Sequence, residues 1–240
     1  MKRWLAVLLL TLAACANPQA QDRTPSDPKE AAKVNTQLGI QYMAQRQYAR
    51  ALPKLKRALE LDPNLQQAHA AIALLYAGGG EAAKARTHYN RALLLDSGDS
   101  STRNNYAAFL CDQGQVDDAL AQFERVLQDK RYPAPENVLT NAGICAQRIP
   151  DAARAEKYFR AALKRNPKYS EALGALAALS YERGEYLQAR AFLQRYEAVA
   201  PPTQETLLLG LRTERELGDK AAAARYAAKL RATYPDVPTD

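Results

Sequence analysis

The sequence predicts an all-α protein, a right-handed superhelix of six helix–turn–helix repeats. The 240-residue chain is 47% hydrophobic but only 8% aromatic, whereas an all-β domain needs many β-branched and aromatic residues. Apolar residues fall in stretches with helical periodicity, separated by glycine or polar residues. Alanine recurs at a spacing of 34 residues, with one spacing of 36, at Ala51, Ala85, Ala119, Ala155, Ala189 and Ala223. A fixed period of this length is typical of stacked helix pairs.

The chain begins with a predicted lipoprotein signal peptide, residues 1–14. A basic start precedes an apolar run that is too short to span a bilayer, which needs about 20 residues. The sequence Leu12-Ala13-Ala14-Cys15 resembles the bacterial lipobox, which implies that Cys15 carries a lipid and begins the mature protein. The alternative is ordinary signal-peptidase cleavage beside an incidental cysteine. Because Ala16 rather than Asp follows, the sorting rule for such lipoproteins implies the outer membrane.

A tether and one folded unit follow the signal peptide. Residues 15–31 are predicted to be the lipidated cysteine and a polar, proline-containing flexible tether. Residues 32–237 are predicted to be the repeat domain, with the lipid rather than the domain supplying membrane attachment. We expect the protein to be a monomer.

The recurring alanine has companions at fixed distances within the repeat domain. A large or apolar residue follows it by four positions, as with Leu55 and Phe159, and a small residue such as Gly39 precedes it by twelve. Proline follows it by twelve positions in four of the six repeats. This pattern resembles the tetratricopeptide repeat. The repeats are predicted at about residues 32–65, 66–99, 100–133, 136–169, 170–203 and 204–237, and the last deviates as a terminal cap should.

Composition and motifs argue against catalysis and nucleic-acid binding. The net charge is +7, but lysine and arginine are interspersed with acidic residues rather than gathered in a stripe. Two histidines and three cysteines are too few for an ordinary zinc site. The glycines at 78–80 are not followed by the Gly-Lys-Ser/Thr of a phosphate-binding loop. We therefore predict no enzymatic activity, metal, cofactor, small-molecule substrate or nucleic acid.

Two cysteines remain if Cys15 carries lipid, and the compartment is then oxidising. Cys111 and Cys145 fall on the predicted first helices of repeats three and four, on either side of the single 36-residue spacing. The sequence Tyr132-Pro133-Ala134-Pro135 lengthens the joint between them. We predict a disulfide that fastens this irregular joint. Two buried free thiols are the alternative.

Three stretches around the same joint carry a narrower resemblance. Residues 104–114, 132–135 and 141–145, with 194–197 and 209–215, resemble the type IV pilus biogenesis/stability lipoproteins (PilF/PilW, the tetratricopeptide-repeat pilotins). Ala107 and Leu208 depart from that family, which tends to have Gly and Trp there. The resemblance implies an outer-membrane lipoprotein that faces the periplasm. It also implies binding to the type IV pilus secretin (PilQ-type), and to other pilus assembly proteins, so that secretin subunits reach the outer membrane and multimerise.

The predicted binding surface is the concave groove that first helices line in stacked helix pairs. Ile40, Leu74 and Ile144 each follow the small position by one residue and would form an apolar stripe, unless they are buried against adjacent helices. Asn104 could hydrogen-bond a peptide backbone, although capping or solvation is equally consistent with its position. The full set of predicted groove residues is Thr36, Ile40, Met43, Ala70, Leu74, Asn104, Ala108, Thr140 and Ile144.

Two other function classes stay open at this point. One is a general cell-envelope adaptor that recruits peptidoglycan enzymes or other assembly factors, in which case the pilus-type stretches are coincidental. The other is an enzyme whose site has no recognisable motif, which a pocket without convergent titratable residues would argue against.

Overall fold

A computed structural model describes residues 27–149 and 152–238, and these residues form helices and turns without a strand. The predicted signal peptide, Cys15 and most of the tether lie outside the described residues. The helices are α1 (Pro28–Ala44), α2 (Tyr48–Leu61), α3 (Gln66–Gly78), α4 (Ala82–Leu95), α5 (Ser100–Asp112), α6 (Val116–Gln128), α7 (Pro135–Ala146), α8 (Ala152–Arg165), α9 (Ser170–Glu182), α10 (Tyr186–Glu197), α11 (Gln204–Glu216) and α12 (Lys220–Thr233).

Each odd-numbered helix packs most extensively against the even-numbered helix that follows it. Odd-numbered helices of neighbouring repeats also touch one another, from α1 and α3 through to α9 and α11. The first helices of the repeats therefore lie side by side along one face, with the second helices behind them. The predicted all-α stack of helix–turn–helix repeats is confirmed.

The turn inside most repeats needs a residue in the left-handed conformation. Gly80, Gly114, Gly184 and Gly218 fill this position with φ between 73° and 76°, and glycine adopts such angles without a Cβ clash. In the first repeat Arg46 takes the position, with φ of 57°. The predicted turn of the fourth repeat includes residues 150 and 151, which lie outside the described residues.

Small residues on the first helices let the second helices approach closely. A Cβ added to Gly39 would lie 2.5 Å from Leu55, and one added to Gly143 would lie 2.5 Å from the Phe159 ring. Leu55 and Phe159 are fully buried. In these two repeats, the predicted pairing of a small residue with a large one is therefore a close packing contact between the two helices.

The ends of the stack differ from the sequence prediction in two places. Helix α1 begins at Pro28, where Asp27 accepts a hydrogen bond from the Lys29 backbone N–H at 2.9 Å. Residues 28–31, which we assigned to the tether, are therefore helical, because proline is favoured in the first turn behind an aspartate cap. In repeat six the close approach is between Gly210 and Tyr226, one residue before the predicted positions.

Candidate protein-binding surface

The first two repeats form a hollow between α1 and α3, which we call the N-terminal hollow. Its volume is about 370 Å³, and it brings together four predicted groove residues, Ile40, Met43, Ala70 and Leu74. Ile40 and Leu74 are 37% and 38% exposed, so they are not buried against adjacent helices. The rest of its lining is Ala44, Gln66, Gln67, Ala71 and Asp99.

The apolar surface continues around the end of the N-terminal hollow. Met43 and Leu74 also line an adjoining depression of about 410 Å³, together with Tyr48 and Leu75. Tyr48 is 54% exposed. Exposed aromatic and aliphatic side chains that adjoin a concave surface are typical anchors for a protein partner.

One carboxylate in the lining of the N-terminal hollow is occupied by hydrogen bonds. Gln66 Nε2 and Thr102 Oγ1 each donate to Asp99 Oδ2 at 2.6 Å, and Asp99 caps α5 by accepting from the backbone N–H groups of Ser101 and Thr102. Burial alone would raise the pKa of Asp99, but these hydrogen bonds outweigh it and lower the pKa. The lining of the N-terminal hollow is therefore apolar except for the side-chain amides of Gln66 and Gln67 and the hydrogen-bonded carboxylate of Asp99.

The middle of the predicted groove is more closed. Asn104 and Ala108 of α5 are half-buried. Thr36 and Thr140 are only 2% and 3% exposed, so their side chains lie beneath the concave surface rather than on it. Each stands three residues before the closely packed glycine of its helix, and residues three apart share a helix face, here the face turned toward the second helix.

The hydroxyls and amides of these buried groups differ in their partners. Thr36 Oγ1 donates to the Ala32 carbonyl oxygen at 3.0 Å. Within the described part of the chain, Asn104 Oδ1 and Thr140 Oγ1 are buried without a hydrogen-bond partner. That a bound peptide backbone pairs with Asn104 therefore stays a prediction.

Repeats four to six form a second and larger concavity, which we call the C-terminal hollow. Its volume is about 950 Å³, and of the predicted groove residues it contains Ile144, which is 48% exposed. Its other lining residues are Ser170, Glu171, Gly174, Ala175, Ala178, Tyr196, Thr203, Glu205, Thr206, Leu208, Leu209 and Arg212. The repeat spacing could have predicted part of this lining. Gly174 and Ala178 stand at the same offsets from the small Ala177 as the predicted groove residues of the earlier repeats do from their small residues.

A disulfide joins α5 to α7 between the two hollows. Cys111 and Cys145 are bridged with their Cα atoms 5.7 Å apart, and both side chains are buried. Arg148 reinforces the same joint, since its guanidinium donates to the Cys111 carbonyl oxygen at 2.7 Å and to Asp112 at 2.8 Å. The two residues that we paired from the sequence are thus the two that the structure brings together.

The described residues offer no site for a metal or for a membrane span. No group of three or more His, Cys, Asp or Glu side chains in the described ranges could hold a metal ion. None of the helices in those ranges is long and apolar enough to cross a bilayer. Lipidation of Cys15 stays a prediction, since that residue lies outside the described ones.

Comparison with known proteins assigns the repeat type. Two family models, both described as tetratricopeptide repeat, match residues 36–101 and 151–210. The first matched segment contains α3, which lines the N-terminal hollow, and the second contains α9, which lines the C-terminal hollow.

The same comparison finds relatives that match over most of the chain. The type IV pilus assembly protein PilF of Pseudomonas aeruginosa is 30% identical over 231 residues, which cover 95% of this chain and 92% of PilF. A solved structure from the functional characterisation of P. aeruginosa PilF has a TM-score of 0.76 at 30% identity and covers 88% of this chain and 95% of its own. The crystal structure of PilW, described as a widely conserved type IV pilus biogenesis factor, has a TM-score of 0.79 at 28% identity and covers 87% and 96%. The chain therefore belongs to the family of type IV pilus tetratricopeptide-repeat proteins that includes PilF and PilW.

Proposed function

We propose that this type IV pilus biogenesis protein is an outer-membrane lipoprotein scaffold that binds a segment of the pilus secretin and promotes its localisation and multimerisation. The N-terminal hollow is the observation that carries the proposal. It presents Ile40 and Leu74 at the surface of a concave face, and proteins of this repeat class typically act as interaction scaffolds rather than as enzymes.

The chemistry of the N-terminal hollow suits an extended or helical peptide. Apolar anchors such as Ile40 and Leu74 contribute affinity when a partner side chain covers them. The side-chain amides of Gln66 and Gln67 line the same hollow and can donate to and accept from a peptide backbone. Asp99 is already engaged by three residues, so an uncharged segment would bind without burying an unpaired carboxylate.

The proposed lipid anchor would keep this hollow near the membrane. Twelve residues separate Cys15 from Pro28, and a chain of that length spans at most about 45 Å. The repeat domain would face the periplasm, with its first repeat nearest to the lipid. We expect Cys15→Ala to abolish acylation and release the protein from outer membranes, and Ala16→Asp to redirect it to the inner membrane. Firm retention of the Cys15→Ala protein in outer membranes at high salt would exclude the lipid as the anchor.

The binding test combines Ile40→Glu with Leu74→Glu. Both side chains are more than a third exposed, so the fold should survive, with a change in unfolding free energy below about 1 kcal/mol. We expect secretin multimers in outer membranes and surface piliation to fall together. The control combines Leu94→Glu with Leu187→Glu, which adds the same charge at residues 74% and 69% exposed on second helices.

The outcomes of this test separate the candidate functions. A control variant with normal secretin multimers and a double variant without them would support the proposal. A well-folded double variant with normal secretin multimers would contradict it and would favour the general cell-envelope adaptor.

A further inference from the structure

We propose that the C-terminal hollow is a second docking site, for a peptide segment of a partner protein with neighbouring apolar side chains and a lysine or arginine beside them. This site lies on α7, α9 and α11, away from the secretin contact proposed for α1 and α3. The inference goes beyond that contact and does not depend on it.

The size and lining of the C-terminal hollow favour an apolar occupant. Its volume of about 950 Å³ exceeds the 370 Å³ of the N-terminal hollow and lies at the upper end of the range for binding cavities. Ile144, Leu208 and Leu209 contribute aliphatic surface, and Tyr196 contributes an aromatic face. A segment with two adjacent large apolar side chains could cover these groups.

Gly174 keeps the C-terminal hollow open without a packing reason. A Cβ at Gly143 would lie 2.5 Å from Phe159, so packing requires a glycine there. A Cβ at Gly174 would lie 3.7 Å from the Tyr196 ring, which is an ordinary van der Waals distance. Glycine inside a helix is unfavourable relative to alanine, and Gly174 lies inside α9. Packing within the structure therefore does not require a glycine at position 174, and the space beside it is open to a side chain of a partner.

The walls of the C-terminal hollow are held by local hydrogen bonds. The Tyr196 hydroxyl donates to the Pro201 carbonyl oxygen at 3.4 Å. Thr203 and Thr206 form a capping box at the start of α11. A hollow with fixed walls loses little conformational entropy when a peptide binds.

The rim of the C-terminal hollow determines the charge of the occupant. Glu171 and Glu205 both lie in the first turns of their helices, α9 and α11. Ser170 Oγ donates to Glu171 Oε2 at 2.9 Å, and the ion pairs of the described residues include neither glutamate. Hydrogen bonds from its own backbone and from Thr203 lower the pKa of Glu205, which keeps that carboxyl ionised. Arg212 lines the same hollow further along α11. A lysine or arginine of the partner would therefore be favoured beside the two glutamates.

With the proposed signal peptide removed, the segment that precedes the repeats is a poor match for this site. Residues 16–26 read Ala-Asn-Pro-Gln-Ala-Gln-Asp-Arg-Thr-Pro-Ser and contain no large apolar side chain. Since these residues cannot supply the large apolar side chains that the hollow would accommodate, we assign the site to a segment of another protein.

The experiment selects peptides from a random twelve-residue phage-display library on the full-length Ile40→Ser/Leu74→Ser variant, which lacks the apolar anchors of the N-terminal hollow. The binding of the synthesised winners to the wild-type protein and to further variants is then measured by fluorescence anisotropy. We expect adjacent apolar residues with a neighbouring Lys or Arg to be enriched. Gly174→Leu should fill the hollow and weaken binding at least about tenfold. The matched control is Ala70→Leu, at the equivalent position of the N-terminal hollow, and should change binding less than about twofold.

A second variant tests the rim and remains informative if Gly174→Leu impairs folding. Glu171→Gln combined with Glu205→Gln alters only exposed groups and should weaken binding about threefold, with a smaller salt dependence. The proposal would be overturned by a library that yields no binder, by winners without a basic residue, or by binding lost with Ala70→Leu but kept with Gly174→Leu. Competition by a synthetic 16–26 peptide, or self-association abolished by Gly174→Leu, would assign the hollow to this chain instead and would also overturn it.

Discussion

The first two repeats and the later repeats differ in the ion pairs and covalent links that connect their helices. The ion pairs described in the first two repeats join residues three apart on one helix or its cap, as in Arg57 with Glu60. From the third repeat onward most ion pairs cross between helices, as in Arg183 with Glu156 and Lys229 with Glu197. The only disulfide of the described residues also belongs to the later part, where it spans repeats three and four.

In the early repeats, hydrogen bonds of side chains rather than ion pairs connect one helix to the next repeat or to its partner helix. Gln66 of α3 reaches Asp99 before α5, and His69 of α3 lies with its Nδ1 atom 3.0 Å from His88 Nδ1 of α4. Because each repeat contacts only its neighbours, such local differences translate into different local stabilities along the stack. The early repeats should therefore respond to pH, and the later repeats to reductant and to loss of single charges.

Reduction of the disulfide should have the largest effect. A bridge that closes a loop of 34 residues contributes about 3–4 kcal/mol in the chain-entropy account. We expect reduction, or replacement of Cys111 and Cys145 together by Ala, to lower the midpoint of thermal unfolding. Hydrogen exchange resolved by helix should show the loss in α5 to α8 first. The wild-type protein without reductant should show no free thiol at these positions under denaturing conditions, and full labelling there would contradict the bridge.

Removal of the buried carboxylate between repeats five and six should have the next largest effect. Arg190 Nε donates to Glu214 Oε1 at 2.9 Å, and the Glu214 side chain is only 6% exposed. Glu214→Ala should cost about 2 kcal/mol, since it leaves a half-buried guanidinium with only its longer contact to Asp219. Glu182→Ala removes the same charge at an exposed site and should cost less than about 0.5 kcal/mol. If chemical denaturation gave the same loss of unfolding free energy for both variants, the contact between repeats five and six would not depend on this ion pair.

Acidification should lower the free energy of unfolding by a smaller amount, and the effect should be confined to the early repeats. Burial lowers the pKa of His69 and outweighs its hydrogen bond with the Pro63 carbonyl oxygen, and Arg91 lowers this pKa further. Burial also lowers the pKa of His88, to which His69 and Lys56 add. The unfolded chain, whose histidines titrate near 6.5, then binds protons that the folded chain does not, so stability falls as pH drops below about 7. His69→Gln combined with His88→Gln should reduce the fall between pH 7.5 and 5 in urea unfolding. An unchanged pH dependence would exclude the histidine pair as its cause.

Sequence reasoning reached the fold and the cysteine pair because both depend on a repeated spacing. Gly39 and Gly143 and their large partners stand sixteen residues apart in the chain and in contact in the fold. Exposure was harder to predict, because neighbouring positions on one helix differ: Ile40 is exposed, whereas Gly39 just before it and Thr36 one turn earlier are buried. The C-terminal hollow was not predicted, since its lining includes the small residues Gly174 and Ala178, whereas the predicted groove residues were taken from the first four repeats.

The most direct test of the proposed function is photo-crosslinking from the N-terminal hollow in living cells. A photoreactive p-benzoylphenylalanine in place of Leu74 would sit in that hollow, and the same residue in place of Leu94 would sit on an exposed second helix. We expect irradiation to link the secretin to the protein from position 74 and not from position 94. Absence of a secretin adduct at position 74, or equal adducts at both positions, would contradict secretin binding in the N-terminal hollow.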